Sequence, residues 1–304
     1  MTYAEHKGYL GAVHLLPPEL REFALSLPDR LKDAAEELRL RAGFPMTVLL
    51  PGGEQSLPSA AQRRTVTPAD LSRLLEIATG ASAHSAQAAI ARGFVTVKGG
   101  YRLGLCGTAV TDGGRISGFR ALSSASLRIP GEARGCASEI FDSLCPAEGT
   151  KTPPSVLVIS VPGGGKTTFL RDLVRLLSEA GRRVSLADER GEIAAVWEGF
   201  RQFDVGPHTD VLTGGSKSEA IMLLLRSMNP EIIALDEVTA AEDAAAIAQA
   251  SYCGVGLVAT AHACDIPDLE SRPLYRSLLD MGVFTRCVII TGVGDKRVYR
   301  LEKL

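Results

Sequence analysis

After residue 153 the chain alternates between short, nearly unbroken apolar runs and longer amphipathic stretches. The runs at 155–160, 183–187, 231–236, 255–261 and 286–292 read as strands, and 166–180, 217–228 and 240–250 as helices. Strands that are apolar throughout fit a parallel sheet covered on both faces by helices. Phe169, Leu173, Leu176 and Leu177 share one face of the first of these helices and are core positions. The earlier half follows a different rhythm, mixed α+β. Pro17 to Glu37 carries leucines at helical spacing and reads as helical, and Leu38–Arg41 with Met46–Leu50 as a hairpin around Ala42-Gly43. Thr67-Pro-Ala-Asp70 is a helix start, with Thr67 as N-cap, Pro68 first in the helix and Asp70 third. A helix over Ala83–Arg92 follows, then strands at Phe94–Val97, Tyr101–Val110 and Ser117–Ile129, joined by Gly99-Gly100 and Asp112-Gly-Gly114 turns. Gly/Pro punctuation at Gly131–Cys136 and Cys145–Pro154 divides the chain into expected domains 1–135 (mixed α+β) and 136–304 (α/β).

Composition narrows the classes. The chain has 304 residues, 45% hydrophobic and 22% charged, enough for two domains with sizeable cores. A net charge of −2 argues against a broad nonspecific nucleic-acid surface. The six cysteines are scattered with no C-x-x-C pair, which fits reduced thiols in a reducing cytoplasm and suggests no zinc site. The first residues, Met1-Thr-Tyr-Ala-Glu-His-Lys-Gly, lack an apolar run, and no apolar stretch is long enough to span a bilayer. The expected location is cytoplasmic, with peripheral docking on a membrane complex compatible with it.

The chemistry starts at Ser155-Val-Leu-Val-Ile-Ser-Val-Pro-Gly-Gly-Gly-Lys-Thr-Thr168, an apolar strand running into a glycine turn and a helix. Glycines let backbone N–H groups converge on phosphates, and the helix adds the positive end of its dipole. Ser160, Val161, Pro162, Gly163, Gly164, Gly165, Lys166, Thr167 and Thr168 are the expected nucleotide-binding residues. Lys166 would reach the β- and γ-phosphates, and the Thr167 hydroxyl would ligate magnesium. Serine stands at 160, where the general motif has its first glycine.

Three further boxes follow. Glu231-Ile-Ile-Ala-Leu-Asp-Glu237 is an apolar strand ending in two acids; Asp236 fits a magnesium ligand and Glu237 a residue that orients or deprotonates water. The alternative for both is a solvated strand end. Ala187-Asp-Glu-Arg-Gly-Glu192 places Asp188 and Glu189 where they tune the water or the metal shell, or else form a turn and cap. Leu257-Val-Ala-Thr-Ala-His-Ala263 ends in Thr260 and His262, a polar sensor for the γ-phosphate or a hydrogen-bonded structural pair.

Cradle, acidic box, Asp-Glu strand and Thr-x-His box, in this order behind a mixed domain, resemble the secretion ATPases of type II and type IV systems. The nearest resemblance is to their sporulation branch, through Leu38–Pro45, Gly104–Thr108, Ser160–Asp172, Asp188–Arg190, Asp204–Val211 and Arg226–Pro230. The resemblance implies a RecA-like P-loop core, ATP and Mg2+ as cofactors, a homo-oligomer (a hexamer) and a membrane-embedded channel complex as partner, in the mother cell during endospore formation. It implies catalytic roles for Lys166, Glu189, Glu237 and His262 and no specific nucleic acid. A serine at 160 is similar to this branch's form, whereas His208, Thr213 and Thr239 depart from it, where arginine, aspartate and glycine are expected. Arg41, Arg102, Arg120 and Arg128 are candidates for an arginine acting across an interface, and Lys217 for a phosphate or subunit contact. A RecA-like nucleic-acid motor or loader, and a nucleotide-dependent interaction module with little turnover, are the competing functions.

Overall fold

The computed structural model describes residues 8–57, 64–80, 87–131, 133–145, 154–292 and 296–304. The chain divides into two compact units, Met1–Gly131 with Ala195–Gln202, and Glu132–Ala194 with Phe203–Leu304.

The first unit is an antiparallel sheet with helices on one face. Its strands are β1 (Glu37–Arg41), β2 (Thr47–Leu50), β3 (Gly53–Ser56), β4 (Phe94–Val97), β5 (Tyr101–Asp112) and β6 (Arg115–Arg128). They lie in the order β3-β2-β1-β6-β5-β4. Alternation sets the sheet's orientation: Leu38 and Leu40 of β1, Val48 and Leu50 of β2 and Leu127 of β6 point to one side and are buried. Helices α1 (Tyr9–Leu15), α2 (Pro18–Leu25), α3 (Asp29–Lys32), α4 (Pro68–Ala78) and α5 (Gln87–Ala91) complete this unit. Leu16, Leu20, Leu71 and Leu74 supply the helical half of the core. The helical stretch expected over 17–37 holds two short helices, α2 and α3, and its last residue, Glu37, opens β1. Pro28 has no N–H to donate and disfavours helical backbone at Leu27, so α2 ends before it. Glu37 then pairs with Leu49 and Arg128 in the sheet. The expected start of the 83–92 helix lies partly outside the described residues. A small hairpin, β9 (Val196–Trp197) with β10 (Phe200–Arg201), belongs to this unit and had no counterpart in the pattern.

The second unit is built on a seven-stranded sheet. Its strands are β7 (Val156–Ser160), β8 (Val184–Asp188), β11 (Thr209–Thr213), β12 (Ile232–Leu235), β13 (Gly256–His262), β14 (Arg286–Thr291) and β15 (Val298–Lys303). They run in the order β11-β8-β12-β13-β7-β14-β15. All neighbours pair in parallel except β14 with β15. Every residue of β7, β8 and β12 is buried, which is why these strands read as continuous apolar runs. The helices are α6 (Ser138–Leu144), α7 (Lys166–Glu179), α8 (Lys217–Ser227), α9 (Ala241–Tyr252), α10 (Ile266–Glu270) and α11 (Pro273–Asp280). Strands β12, β13 and β7 lie side by side, with Leu235 opposite Ala259 and His262 opposite Ser160. The glycine loop, the Asp-Glu pair and the histidine therefore emerge at the same carboxyl edge, where sheets of this kind bind ligands.

Candidate active site

The loop from Val161 to Gly165 carries the chain from β7 into α7. Ser160 is buried, and its hydroxyl donates to the Val161 carbonyl at 2.9 Å. The Gly164 N–H donates to the same carbonyl at 3.1 Å. A Cβ on Gly164 would stand 2.4 Å from the Ser160 Oγ, 2.8 Å from its Cβ and 3.0 Å from the Val161 carbonyl oxygen, which leaves no room for a side chain there. Val161, Pro162 and Gly163 form the exposed tip, and Thr168 is half-buried in the first turn of α7.

Lys166 is buried and folds back over the loop, donating to the Ser160 carbonyl at 3.2 Å. Its Nζ also lies 2.9 Å from Nδ1 of His262. An ammonium only donates, so Nδ1 accepts and the imidazole proton sits on Nε2. That Nε2–H faces Oε1 of Glu237 at 2.5 Å. The other Glu237 oxygen accepts from Arg190 at 3.2 Å. Burial lowers the Lys166 pKa, and the charges of Asp236 and Glu237 oppose that shift.

One step along α7, the Thr167 hydroxyl donates to Asp236 at 2.8 Å. The second Asp236 oxygen accepts from the Thr260 hydroxyl. The Thr260 hydroxyl in turn accepts the Glu237 N–H at 2.8 Å, and its carbonyl accepts the Val238 N–H at 3.1 Å. These bonds hold Glu237 at φ +50, a left-handed conformation uncommon for a residue with a side chain. Strain of this kind persists only where the surroundings over-determine it.

The Asp-Glu-Arg box is divided. Asp188 is buried and accepts the N–H groups of Glu192, Ile193 and Ala194. Burial pushes its carboxyl up, while the Ala194 and Ile193 N–H groups pull it down. Glu189 accepts from the buried Lys217 at 2.5 Å, so Lys217 is committed to an intrachain ion pair. Glu189 thus stands beside α8, whereas Lys166, Thr167, Asp236, Glu237, Thr260 and His262 are linked to one another. Arg190 joins that linked group, a contact the sequence reading did not assign; its place as third residue of the box was the available signal. His208 is tied to Ser178, its N–H donating to the hydroxyl at 2.7 Å. Of the four candidate arginines, Arg41 pairs with Glu54, and Arg102 lies 3.9 Å over the Phe94 ring.

The residues fit a magnesium-bound nucleotide. Thr167 and Asp236 offer adjacent hard oxygen donors, and magnesium is commonly held by one or two such groups with phosphates completing its shell. The glycine loop leaves N–H groups at the start of α7 without Cβ atoms in front of them. Among the described residues no helix is long and apolar enough to cross a membrane.

A family model described as "Sporulation stage III, protein AA" matches residues 14–299. Stage III sporulation protein AA of Bacillus subtilis (strain 168) is 31% identical over 277 residues, 90% of this chain and 87% of its own length. Among solved structures, the ATPase DotB of Yersinia pseudotuberculosis superposes with a TM-score of 0.60 at 18% identity, over 95% of this chain and 79% of that one. The pilus retraction motor PilT with bound ADP gives 0.57 at 18% identity, over 91% of this chain and 82% of that one. The fold is therefore a RecA-like P-loop core with a mixed α+β unit before it.

Proposed function

The chain belongs to the sporulation stage III protein AA family, and from that premise we propose that it is an oligomeric, magnesium-dependent ATPase. In this reading it energises an envelope-spanning channel or assembly complex during endospore formation. The observation that supports it is the linked group at the carboxyl edge, Lys166–His262–Glu237 on one side and Thr167–Asp236–Thr260 on the other.

Loop N–H groups and Lys166 hold the phosphates, with Lys166 exchanging its bond to His262 for one to a phosphate oxygen. Thr167 and Asp236 would hold magnesium, which would neutralise charge on the phosphates when bound. Glu237, at its fixed backbone angle, orients a water and takes its proton. His262 touches both Lys166 and Glu237, so displacement of the lysine by a γ-phosphate is felt at the base through one imidazole. Thr260 positions both acids, whereas Glu189, paired with Lys217 beside α8, stands apart from this linked group.

The test separates binding from turnover. Lys166→Ala should abolish tight ATP binding. Glu237→Gln should bind ATP at near wild-type affinity while hydrolysis falls by about 10²–10⁴-fold. Full turnover in Glu237→Gln would overturn its role. In an endospore-forming host lacking its own copy, the wild-type chain should restore spore counts and Lys166→Ala should not. Stable ATP binding without hydrolysis by the wild-type chain at any concentration would favour the interaction module instead.

A further inference from the structure

Arg297 approaches the phosphate loop from the β14–β15 edge of the sheet. Strand β14 pairs with β7, Ile289 opposite Ile159, so its carboxyl end lies beside the start of the loop. The chain turns back there into β15, with Thr291 opposite Val298. A Cβ on Gly292 would stand 2.2 Å from the Lys296 carbonyl oxygen. Arg297 is the next residue. Two positions on, and on the same face of β15, the Tyr299 ring stacks on Phe169 of α7 with centroids 5.1 Å apart. Tyr299 thus pins β15 to α7 one turn in, and Arg297 meets the same helix at its N-terminus.

There the guanidinium lies directly on Gly165. A Cβ at Gly165 would stand 2.9 Å from the Arg297 Nε and 3.0 Å from its Cζ. Gly165 itself has φ +99, a backbone angle that favours glycine, which leaves the guanidinium room to lie there. The Arg297 Nε is buried and has no hydrogen-bond partner among the described residues. A buried donor left unmade is costly, and here it belongs to a cation packed against Gly165 at the positive end of a helix. An anion at the loop relieves both conditions.

We infer that Arg297 is a nucleotide-binding residue, whose guanidinium contacts the α/β-phosphates held by the glycine loop of its own chain. This rests on the nucleotide-site reading above. The loop's N–H groups cradle the α- and β-phosphates, so the contact is shared by ADP and ATP. It differs from an arginine supplied across an interface, since β15 and α7 belong to one compact unit.

The test is calorimetric titration of the full chain with MgADP, alongside melting curves without nucleotide. Arg297→Ala and Arg297→Gln should each weaken MgADP about tenfold or more, with Arg297→Lys between them and the wild type, and unliganded melting temperatures should stay at the wild-type value. If the wild type binds, Lys166→Ala does not, and Arg297→Ala stays within about twofold of wild type, the inference is overturned while the site reading stands. Weakening matched by an equal fall in unliganded stability in both Arg297→Ala and Arg297→Gln also overturns it, by making Arg297 structural. Failure of the wild type to bind MgADP removes both readings.

Discussion

Asp188 and Glu189 are neighbours in the chain and carry the same charge, but they work on different problems. Asp188 ends a fully buried strand, and its carboxylate gathers the N–H groups of residues 192–194, which a turn would otherwise leave without acceptors inside the unit. Glu189, one residue on, reaches Lys217. Of the turn-and-cap alternative, Asp188 realises the turn; no helix follows for it to cap. An amide cannot replace it: asparagine offers one acceptor oxygen and turns two N–H groups toward existing donors. Asp188→Asn should cost about 2–3 kcal/mol, seen as a lower melting temperature by circular dichroism. Retained stability would mean that the turn does not depend on the carboxylate. Contact partners such as Arg190–Glu237 and Lys217–Glu189 were not legible in the sequence, because each pair is brought together by strand order across 28 to 47 positions. The phosphate loop was legible, because its chemistry is local to consecutive residues.

At the scale of elements, what could be read follows burial. The inner strands β7, β8, β12, β13 and β14 are covered on both faces and announce themselves as apolar runs. The edge strands β11 and β15 are half-exposed and mix polar with apolar positions, so neither stood out. The short α10 and α11, with prolines in their first turns, were missed for want of length. Capping was the most faithful local signal. Thr67 accepts the Asp70 N–H, and the Asp70 carboxylate accepts the Thr67 N–H at 2.7 Å, completing the box expected at α4. Burial pushes the Asp70 carboxyl up, but Arg64 and the Thr67 N–H and hydroxyl outweigh it and hold it below the usual carboxylate range. Thr67→Ala should lower stability by about 1 kcal/mol, with Thr67→Ser close to wild type in the same melting experiment. An unchanged alanine variant would show that Arg64–Asp70 alone fixes the start of α4.

At the scale of the whole molecule, the proposed site draws its phosphate, metal and water-orienting groups from the second unit alone. Enzymes built on this core commonly complete charge neutralisation with an arginine from a neighbouring domain or subunit. Within the chain Arg190 is held by Glu237, Arg41 by Glu54, and Arg102 stacks on Phe94. A site that needs a neighbour obeys mass action, so its specific activity depends on protein concentration, whereas a self-sufficient site is indifferent to it. Mass-resolved sizing with and without MgATP, run beside hydrolysis rates over a wide range of protein concentration, distinguishes the two. The expected result is a specific activity that climbs with concentration and saturates as the mass shifts to an oligomer. Glu237→Gln should assemble on MgATP and stay assembled, because its bound nucleotide is not consumed. A strictly monomeric chain with constant specific activity would overturn the oligomeric mechanism and leave the phosphate, metal and base assignments standing, since those depend only on groups already in contact within one chain.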